Sequence, residues 1–172
     1  QGSNERVQLA LIGCGGRGSG VTAGFAGRDD VVVTALCDLN SSRSARTAKG
    51  LADSQGGRVP VQTRSMQEVF DNSDVDAVVV ATPDHWHGEA TIRAARAKKH
   101  VYCEKPISLT IKEGRAMAQA VKENKIVFQT GSQQRTQYGG KFRRTVEMVR
   151  SGAIGELKKI RVCVGNPPIP CN

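Results

Sequence analysis

A glycine-rich segment near the start of the sequence has the residue types that bind a phosphate chain. An apolar run leads directly into Gly13-x-Gly15-x-x-Gly18, and Asp38 ends a second apolar run over residues 31–37. Glycines at this spacing permit a tight turn, close approach of backbone amides to a diphosphate, and close packing of a helix on a strand. The pattern therefore predicts a dinucleotide site with the diphosphate at a helix N-terminus.

Asp38 also bears on which dinucleotide binds. A carboxylate at the end of the second strand accepts hydrogen bonds from ribose hydroxyls and repels a 2′-phosphate, so the sequence favours NAD over NADP. Ser41, Ser42 and Arg43 follow closely and would bind a phosphate if Asp38 turned away. The simpler interpretation of Arg43 and Arg46 is a solvated helix face.

A second polar loop, Ala-Thr-Pro-Asp-His-Trp-His at residues 81–87, follows the fourth predicted strand. Asp84 is suited to cap the helix after it. His85 and His87 could line one face of an extended segment, but no third ligand clusters with them beyond Asp84, so no metal site is predicted. Trp86 is interpreted as a packing residue, with contact to cofactor or substrate as the alternative.

A third loop, residues 102–108, places Glu104 and Lys105 side by side at the end of the fifth predicted strand. A lysine beside the positive ring of an oxidised nicotinamide is suited to hydrogen-bond or deprotonate a substrate hydroxyl as hydride leaves. The alternative is a salt bridge between the two residues that caps the loop. Pro106 is a candidate for a cis peptide bond.

The composition fits one packed domain and part of another, at 172 residues and 38% apolar content. No stretch approaches the length of a membrane span, so no membrane partner is expected. The five cysteines include no Cys-x-x-Cys pair. They are interpreted as small buried hydrophobic residues and not as a disulfide framework.

The net charge of +9 is concentrated towards the C-terminus. Residues 131–172 hold eight Lys or Arg against two Glu, a balance of +6 that leaves +3 for the rest of the chain. Only 4% of residues are aromatic and no nucleic-acid motif is present, so no nucleic-acid partner is expected. We interpret the excess as a solvated helix and an unpaired strand awaiting a partner surface.

Strand-like and helical segments alternate along the chain. Strands are predicted at 7–12, 31–37, 59–62, 77–81, 100–103 and 126–130, and helices near 17–28, 41–54, 65–71, 86–98 and 110–124. Continuously apolar strands indicate burial on both faces. The predicted fold is therefore α/β, a doubly wound and mainly parallel sheet of the Rossmann type, with the three polar loops along one edge.

The composition changes after the sixth predicted strand. A polar, glycine-bearing segment is followed by a predicted helix up to residue 152, and alternation over 157–164 predicts a strand with one polar face. A proline-rich end follows, which cannot add to a sheet. We expect a dinucleotide-binding Rossmann domain at 1–130, and at 131–172 a connecting helix and the first strand of a truncated α+β domain for substrate binding and oligomerisation.

Three motifs, in this order and spacing, closely resemble the Gfo/Idh/MocA oxidoreductase family. They are Gly-Cys-Gly-Gly-Arg-Gly at 13–18, Ala-Thr-Pro-Asp-His-Trp-His at 81–87 and Glu-Lys-Pro-Ile-Ser-Leu-Thr at 104–110, and the resemblance extends over residues 5–165. It implies an NAD(P)-dependent dehydrogenase that acts on CH–OH groups of sugars, inositols and related polyols. An N-terminal Rossmann domain and a C-terminal domain with an open-faced sheet are implied as well.

By position, the resemblance implies three sets of site residues. Those implied to bind the cofactor are Gly13, Gly15, Gly16, Arg17, Gly18, Asp38, Thr82, Pro83, His87, Glu104 and Lys105. The implied catalytic residues are Lys105 and Glu104, and the implied substrate contacts are Lys105 and Gln133. No metal ligand is implied.

The chain departs from the family pattern in two places. Asp84 stands where many members have asparagine, which leaves the hydrogen bonding of this loop open. The downstream aspartate and histidine that usually complete the substrate site are absent, so the fragment is expected to bind cofactor but to be inactive alone. The full-length protein is expected to be a homo-oligomer that takes a small sugar or polyol.

The sequence starts at Gln1 without a methionine. The cytoplasm is the default expectation for its location, and the periplasm, reached through a cleaved twin-arginine signal, is the alternative. Two other functions stay open beside the dehydrogenase. One is a glycoside hydrolase or lyase that uses bound NAD transiently and returns the hydride; the other is a non-catalytic nucleotide-binding module, against which the Glu104–Lys105 pair argues.

Overall fold

The computed structural model describes residues 6–133 and 138–163, which contain six strands and six α-helices. The strands are Val7–Ile12 (β1), Val31–Cys37 (β2), Val61–Thr63 (β3), Ala77–Val80 (β4), His100–Glu104 (β5) and Phe128–Gly131 (β6). The helices are Gly16–Ala26 (α1), Ser41–Ser54 (α2), Met66–Asp71 (α3), His87–Arg96 (α4), Ile111–Asn124 (α5) and Lys141–Arg150 (α6). Short 3-10 turns lie at Asp84–Trp86 and Tyr138–Gly140.

The six strands form one sheet in the order β3-β2-β1-β4-β5-β6, and every neighbouring pair is parallel. This confirms the predicted doubly wound α/β fold of the Rossmann type. The chain runs outward from β1 to β3 on one side and from β4 to β6 on the other. Ligands of such sheets bind where the direction reverses, at the carboxyl ends of β1 and β4.

The core lies on both faces of the sheet because β4 is apolar throughout and β1 is apolar except at Gln8. Leu9 and Leu11 of β1 join one buried cluster with Leu36, while Ala10 and Ile12 belong to a second cluster. Fully burying a leucine side chain contributes about 1.5–3 kcal/mol, so these runs fix where β1 lies in the sheet. The loops at its carboxyl end are thereby held on a rigid frame.

Burial explains which strand boundaries the sequence predicts well. β1 and β2 begin and end where the apolar runs do. β3 is displaced from the predicted 59–62, since it lies at one edge of the sheet with Val59 60% and Val61 68% exposed. The bounds of β3 are set by its hydrogen bonds to β2, and residues paired in this way need not show an apolar pattern in the sequence.

Three of the four described cysteines are buried free thiols, as interpreted from the sequence. Desolvation raises the pKa of Cys14 to about 12 and the pKa values of Cys37 and Cys103 to about 11. Cys163 is exposed. Cys171 lies outside the described residues.

The chain divides after Ser132 into two compact units, and the first holds the whole sheet. In the second unit, α6 lies where a helix was expected and ends at Arg150. Residues 157–163 form no strand in this chain and residue 164 lies outside the described part, so the strand at 157–164 of a further domain stays a prediction. A strand needs a neighbour for its backbone hydrogen bonds, and the described part of this unit contains none.

No helix in the described ranges is both long enough and apolar enough to cross a bilayer. These ranges also contain no cluster of three or more histidine, cysteine, aspartate or glutamate side chains arranged to hold a metal ion.

Candidate functional site

The turn between β1 and α1 has room only for glycine at two positions. Gly13 has φ of 97°, and a β-carbon there would lie 2.7 Å from backbone atoms of Ala81 and Thr82. At Gly18 a β-carbon would lie 2.0 Å from the carbonyl oxygen of Gly13. The first glycine thus lets the loops after β1 and β4 touch, and the last lets α1 pack against the turn.

The N-terminus of α1 faces open space. Its N-cap residue is Gly15, no side chain caps the helix, and its first turn contains no acidic residue. A β-carbon at Gly15 or Gly16 would meet no atom within 4 Å. The free backbone N–H groups and the positive end of the helix dipole are therefore available to an anion.

Asp38 links the end of β2 to the glycine turn. Its Oδ2 accepts a hydrogen bond from the backbone N–H of Cys14 at 2.8 Å, and its Oδ1 accepts one from the N–H of Asn40, also at 2.8 Å. Each carboxylate oxygen can accept a second hydrogen bond. The carboxylate is thus fixed beside the glycine turn and still has acceptor capacity for ligand hydroxyls.

A cavity of about 410 Å³ opens beside Asp38. Its lining residues include Gly13, Asp38, Arg43, Arg64, Thr82, Pro83 and Trp86. Three of the four motifs that were singled out from the sequence therefore meet in one cavity, since these residues come from the glycine turn, the end of β2 and the loop after β4.

Some of the cavity wall was not anticipated from the sequence. Trp86 is 45% exposed and lines the cavity, a position that fits the alternative of contact with cofactor or substrate better than packing. Arg43 lines the cavity in addition to being exposed on its helix. Arg64 was missed, because it follows the short edge strand β3 and belongs to no recognisable motif.

The hydroxyl of Thr82 supplies a test of whether a ligand fits this cavity. Its Oγ1 is buried and has no hydrogen-bond partner among the described residues. A buried polar atom without a partner costs about 1–3 kcal/mol, so such atoms in native proteins call for an explanation. A hydroxyl or phosphate of a bound nucleotide would supply the missing partner.

The loop after β5 carries an ion pair that the sequence did not predict. Glu104 is 4% exposed, and its Oε1 lies 2.9 Å from both Nε and Nη2 of Arg17. The hydroxyl of Tyr102 donates to the same oxygen at 3.4 Å. Glu104 therefore pairs with an arginine from the glycine motif, and the expected alternative of a salt bridge to Lys105 is not formed.

This ion pair affects the protonation of its members. The hydrogen bond from Arg17 to Glu104 raises the pKa of the guanidinium, so Arg17 stays charged. Burial, followed by the nearby Glu104 charge, raises the pKa of Tyr102 and keeps its hydroxyl a donor. Lys105 is exposed, and the Lys105–Pro106 peptide bond is cis, as considered from the sequence.

His87 lies beneath the two loops. It is 2% exposed, with Nδ1 2.6 Å from the carbonyl oxygen of Pro106 and Nε2 2.9 Å from that of Thr82. The expectation that Asp84 caps the following helix is wrong. Asp84 Oδ1 accepts from the N–H of His85 within a 3-10 turn, and α4 begins only at His87 without a side-chain cap.

The first unit thus brings together the predicted residues from the glycine turn, Asp38 and the loops after β4 and β5. Gln133 belongs to the second unit.

The chain is similar to known proteins in sequence and in structure. The Gfo/Idh/MocA family model, described as an oxidoreductase family with an NAD-binding Rossmann fold, matches residues 7–132. The chain is 28% identical over 164 residues to myo-inositol 2-dehydrogenase of Thermotoga maritima, covering 95% of this chain and 47% of that protein. It is 28% identical over 161 residues to a glycosyl hydrolase family 109 protein of Shewanella pealeana, covering 89% and 34% respectively.

Among solved structures, myo-inositol 2-dehydrogenase from Lactobacillus plantarum is similar with a TM-score of 0.74 and 27% identity. The match covers 88% of this chain and 43% of that one. The chain therefore spans between about a third and a half of the length of the relatives named here.

Proposed function

Because the chain belongs to the Gfo/Idh/MocA family of oxidoreductases, we propose that it is the cofactor-binding part of an NAD-dependent dehydrogenase that oxidises a hydroxyl group of a sugar, inositol or related polyol. The observation that carries the proposal is the position of Glu104 and Lys105. They lie at the carboxyl end of β5, on the sheet edge where the glycine turn and Asp38 also lie.

The loops at this edge would hold the cofactor. The diphosphate would lie at the open N-terminus of α1, and the adenosine ribose would donate its hydroxyls to Asp38. The unpartnered Thr82 Oγ1 would receive one further hydrogen bond. The fixed carboxylate of Asp38 favours NAD, because it would repel a 2′-phosphate, although Arg43 and Arg64 in the same cavity wall would attract one.

Lys105 is the proposed base. Its exposed side chain in the amine form would take the proton of the substrate hydroxyl at Nζ. Glu104 is held in the neighbouring position by its ion pair with Arg17. Bound NAD would accept the hydride that leaves the carbon bearing this hydroxyl.

The substrate class is proposed from relatives. Two of the similar proteins are named myo-inositol 2-dehydrogenase. A polyol ring is therefore the first substrate to test.

The full-length protein is also proposed to be a homo-oligomer.

A second candidate is redox-assisted cleavage of a glycoside, in which bound NAD takes up and returns the hydride. The similarity to a glycosyl hydrolase family 109 protein favours it. A full-length dehydrogenase would accumulate NADH with its substrate, whereas the second candidate would release sugar without net NADH.

Calorimetric titration of the 172-residue chain with NAD⁺ and with ADP-ribose tests the cofactor proposal. We expect both ligands to release heat with 1:1 stoichiometry. No response to either ligand at about 1 mM, which corresponds to a binding free energy weaker than about 4 kcal/mol, would contradict it.

The catalytic proposal is tested by Lys105→Ala in the full-length protein. Loss of a positioned base is expected to lower kcat by about 10²–10⁴-fold. NAD⁺ affinity is expected to stay within about threefold, which is less than about 0.7 kcal/mol. Unchanged kcat would remove Lys105 from this role.

A further inference from the structure

We propose that His87 is a positioning residue, which donates its Nδ1–H to the carbonyl of Pro106 and so fixes the loop that presents Glu104 and Lys105. This inference rests on the proposed function, in which that loop lies at the nicotinamide end of the cofactor. His87 would thus act on the reaction through the loop, without touching the reacting atoms.

The position of the proton follows from the two contacts of the ring. Nδ1 lies 2.6 Å from the Pro106 oxygen and Nε2 lies 2.9 Å from the Thr82 oxygen. Carbonyl oxygens only accept hydrogen bonds, and a neutral imidazole carries one N–H. A ring lone pair facing a carbonyl is repulsive, and the repulsion is greater at the shorter distance, so the N–H belongs on Nδ1.

Nε2 can donate to Thr82 only when the ring carries a second proton. The role proposed for His87 therefore depends only on the hydrogen bond from Nδ1 to the Pro106 carbonyl, and not on the contact of Nε2 with Thr82.

The hydrogen bond to Pro106 is placed where it limits movement of the catalytic loop. Pro106 follows Lys105 directly, so holding its carbonyl restricts the backbone on which Lys105 stands. The other end of the loop is held by Glu113, whose Oε2 accepts from the N–H groups of Leu109 at 2.9 Å and Thr110 at 3.4 Å. The loop is thus fixed at both ends from the helices α4 and α5.

The residue after His87 makes room for this arrangement. A β-carbon at Gly88 would lie 2.7 Å from Cγ of Glu113. The first turn of α4 can therefore pack against the Glu113 side chain only because it has no side chain at this position. Gly88, next to His87, therefore lies directly against the side chain of the second anchor, Glu113.

Two conservative variants separate the ring nitrogens. The amide nitrogen of Asn lies near the position of Nδ1, whereas that of Gln reaches the position of Nε2. His87→Gln is expected to weaken NAD⁺ binding about tenfold, because the Pro106 carbonyl loses its donor. His87→Asn is expected to recover most of this loss.

The ligands distinguish loop positioning from a general effect on folding. ADP-ribose lacks the nicotinamide, so its affinity is expected to change by less than about twofold in both variants. His85→Gln, at the exposed neighbouring histidine, is the matched control and is expected to leave NAD⁺ affinity unchanged. All titrations use the 172-residue chain.

Nitrogen-15 NMR of the histidine side chains supplies a readout independent of ligand. We expect Nδ1 of His87 to be protonated and its proton to exchange slowly with water, in contrast to His85. An unprotonated Nδ1 would overturn the inference, and so would equal losses of NAD⁺ affinity in His87→Gln and His87→Asn.

The outcomes also separate this inference from the proposed function. A wild-type chain that binds neither NAD⁺ nor ADP-ribose would overturn the proposed function and, with it, the role given to the loop. A wild-type chain that binds both ligands, while His87→Gln binds NAD⁺ equally well, would overturn only the role of His87. Equal loss of both ligands in His87→Gln would make His87 a general structural residue.

Discussion

Glu104 is a buried carboxylate whose cation comes from a residue 87 positions earlier in the sequence. Removing Arg17 takes away the hydrogen bond and the opposite charge that it supplies to the buried Glu104 carboxylate. Arg17→Gln is therefore expected to lower the free energy of unfolding by about 1–2 kcal/mol, a range reduced because Arg17 itself is 41% exposed. Urea denaturation followed by circular dichroism measures the change.

The matched control for this variant is Arg28→Gln. Arg28 also pairs with a carboxylate, Asp30, at 2.8 Å, but both side chains are more than half exposed. No measurable change in stability is expected, because solvent screens such pairs. Equal effects of the two substitutions would show that burial of Glu104 adds nothing to its ion pair with Arg17.

Asp38 gives the prediction for cofactor preference. Asp38→Asn removes the negative charge but keeps one oxygen that can accept the Cys14 N–H. NADP⁺ affinity is expected to rise about tenfold, because the repulsion of the 2′-phosphate is lost, and NAD⁺ affinity is expected to fall. Calorimetric titration with both cofactors measures this, with Asp53→Asn on the exposed face of α2 as control. An unchanged ratio of the two affinities would contradict the role given to Asp38.

At the scale of single residues, the sequence predicts site residues that occur at a characteristic spacing. It does not predict contacts between residues that are distant in the sequence. The glycine triplet and Asp38 could be found because each occupies a fixed place next to an apolar strand. The pairing of Arg17 with Glu104 and the contacts of His87 could not, since they join residues from different loops. Asp84 was wrongly predicted to cap the helix, because the sequence does not show where the helix begins. A 3-10 turn over Asp84–Trp86 comes first, and α4 begins only at His87.

At the scale of elements, the start of α1 packs closely against the glycine turn at Gly18. Gly18→Ala would place a β-carbon 2.0 Å from a backbone oxygen, an overlap that no side-chain rotation relieves. Its free energy of unfolding is expected to fall by more than about 3 kcal/mol. Thermal and urea unfolding both measure this loss.

Gly20 in the same helix is the control, since a β-carbon there would meet no atom within 4 Å. Gly20→Ala is expected to stabilise the chain by about 0.5–1 kcal/mol, because alanine favours the helix more than glycine does. Destabilisation by both substitutions would mean that helix α1 tolerates no added volume, whatever the local space.

Strands buried on both faces could be located from the sequence, and strands at the edge could not. β1 and β2 are apolar except at Gln8 and Thr34, so their ends coincide with changes in composition. β3 has three residues and an exposed surface, and its bounds are set by pairing with β2. Alternation at 157–163 resembled a strand, but alternation creates a strand only where a neighbouring strand is present.

For the whole molecule, the buried thiols report on opening of the fold. Their raised pKa values mean that the folded chain retains protons that an unfolded chain, with thiol pKa near 9.0, would lose. Their contribution to stability is therefore complete below about pH 9 and is lost as the pH rises through about 11 to 12.

Alkylation by iodoacetamide at pH 8 tests this protection. Cys14, Cys37 and Cys103 are expected to react only in urea, whereas the exposed Cys163 is expected to react in buffer. Mass spectrometry of peptides identifies the modified sites, and Cys171→Ser simplifies the pattern. Modification of Cys37 in buffer as fast as that of Cys163 would contradict the burial of the sheet.

Because Leu9 pairs with Ala77, one edge of β1 stays unpaired until β4 has been synthesised. Its second neighbour, β4, leaves the ribosome only roughly 4–14 s after β1 at ordinary translation rates of about 5–20 residues per second. Throughout that interval the largely apolar β1 has one unpaired edge. Bound nucleotide therefore cannot stabilise the nascent chain until β4 has been synthesised, because the proposed site needs the loops that follow both strands.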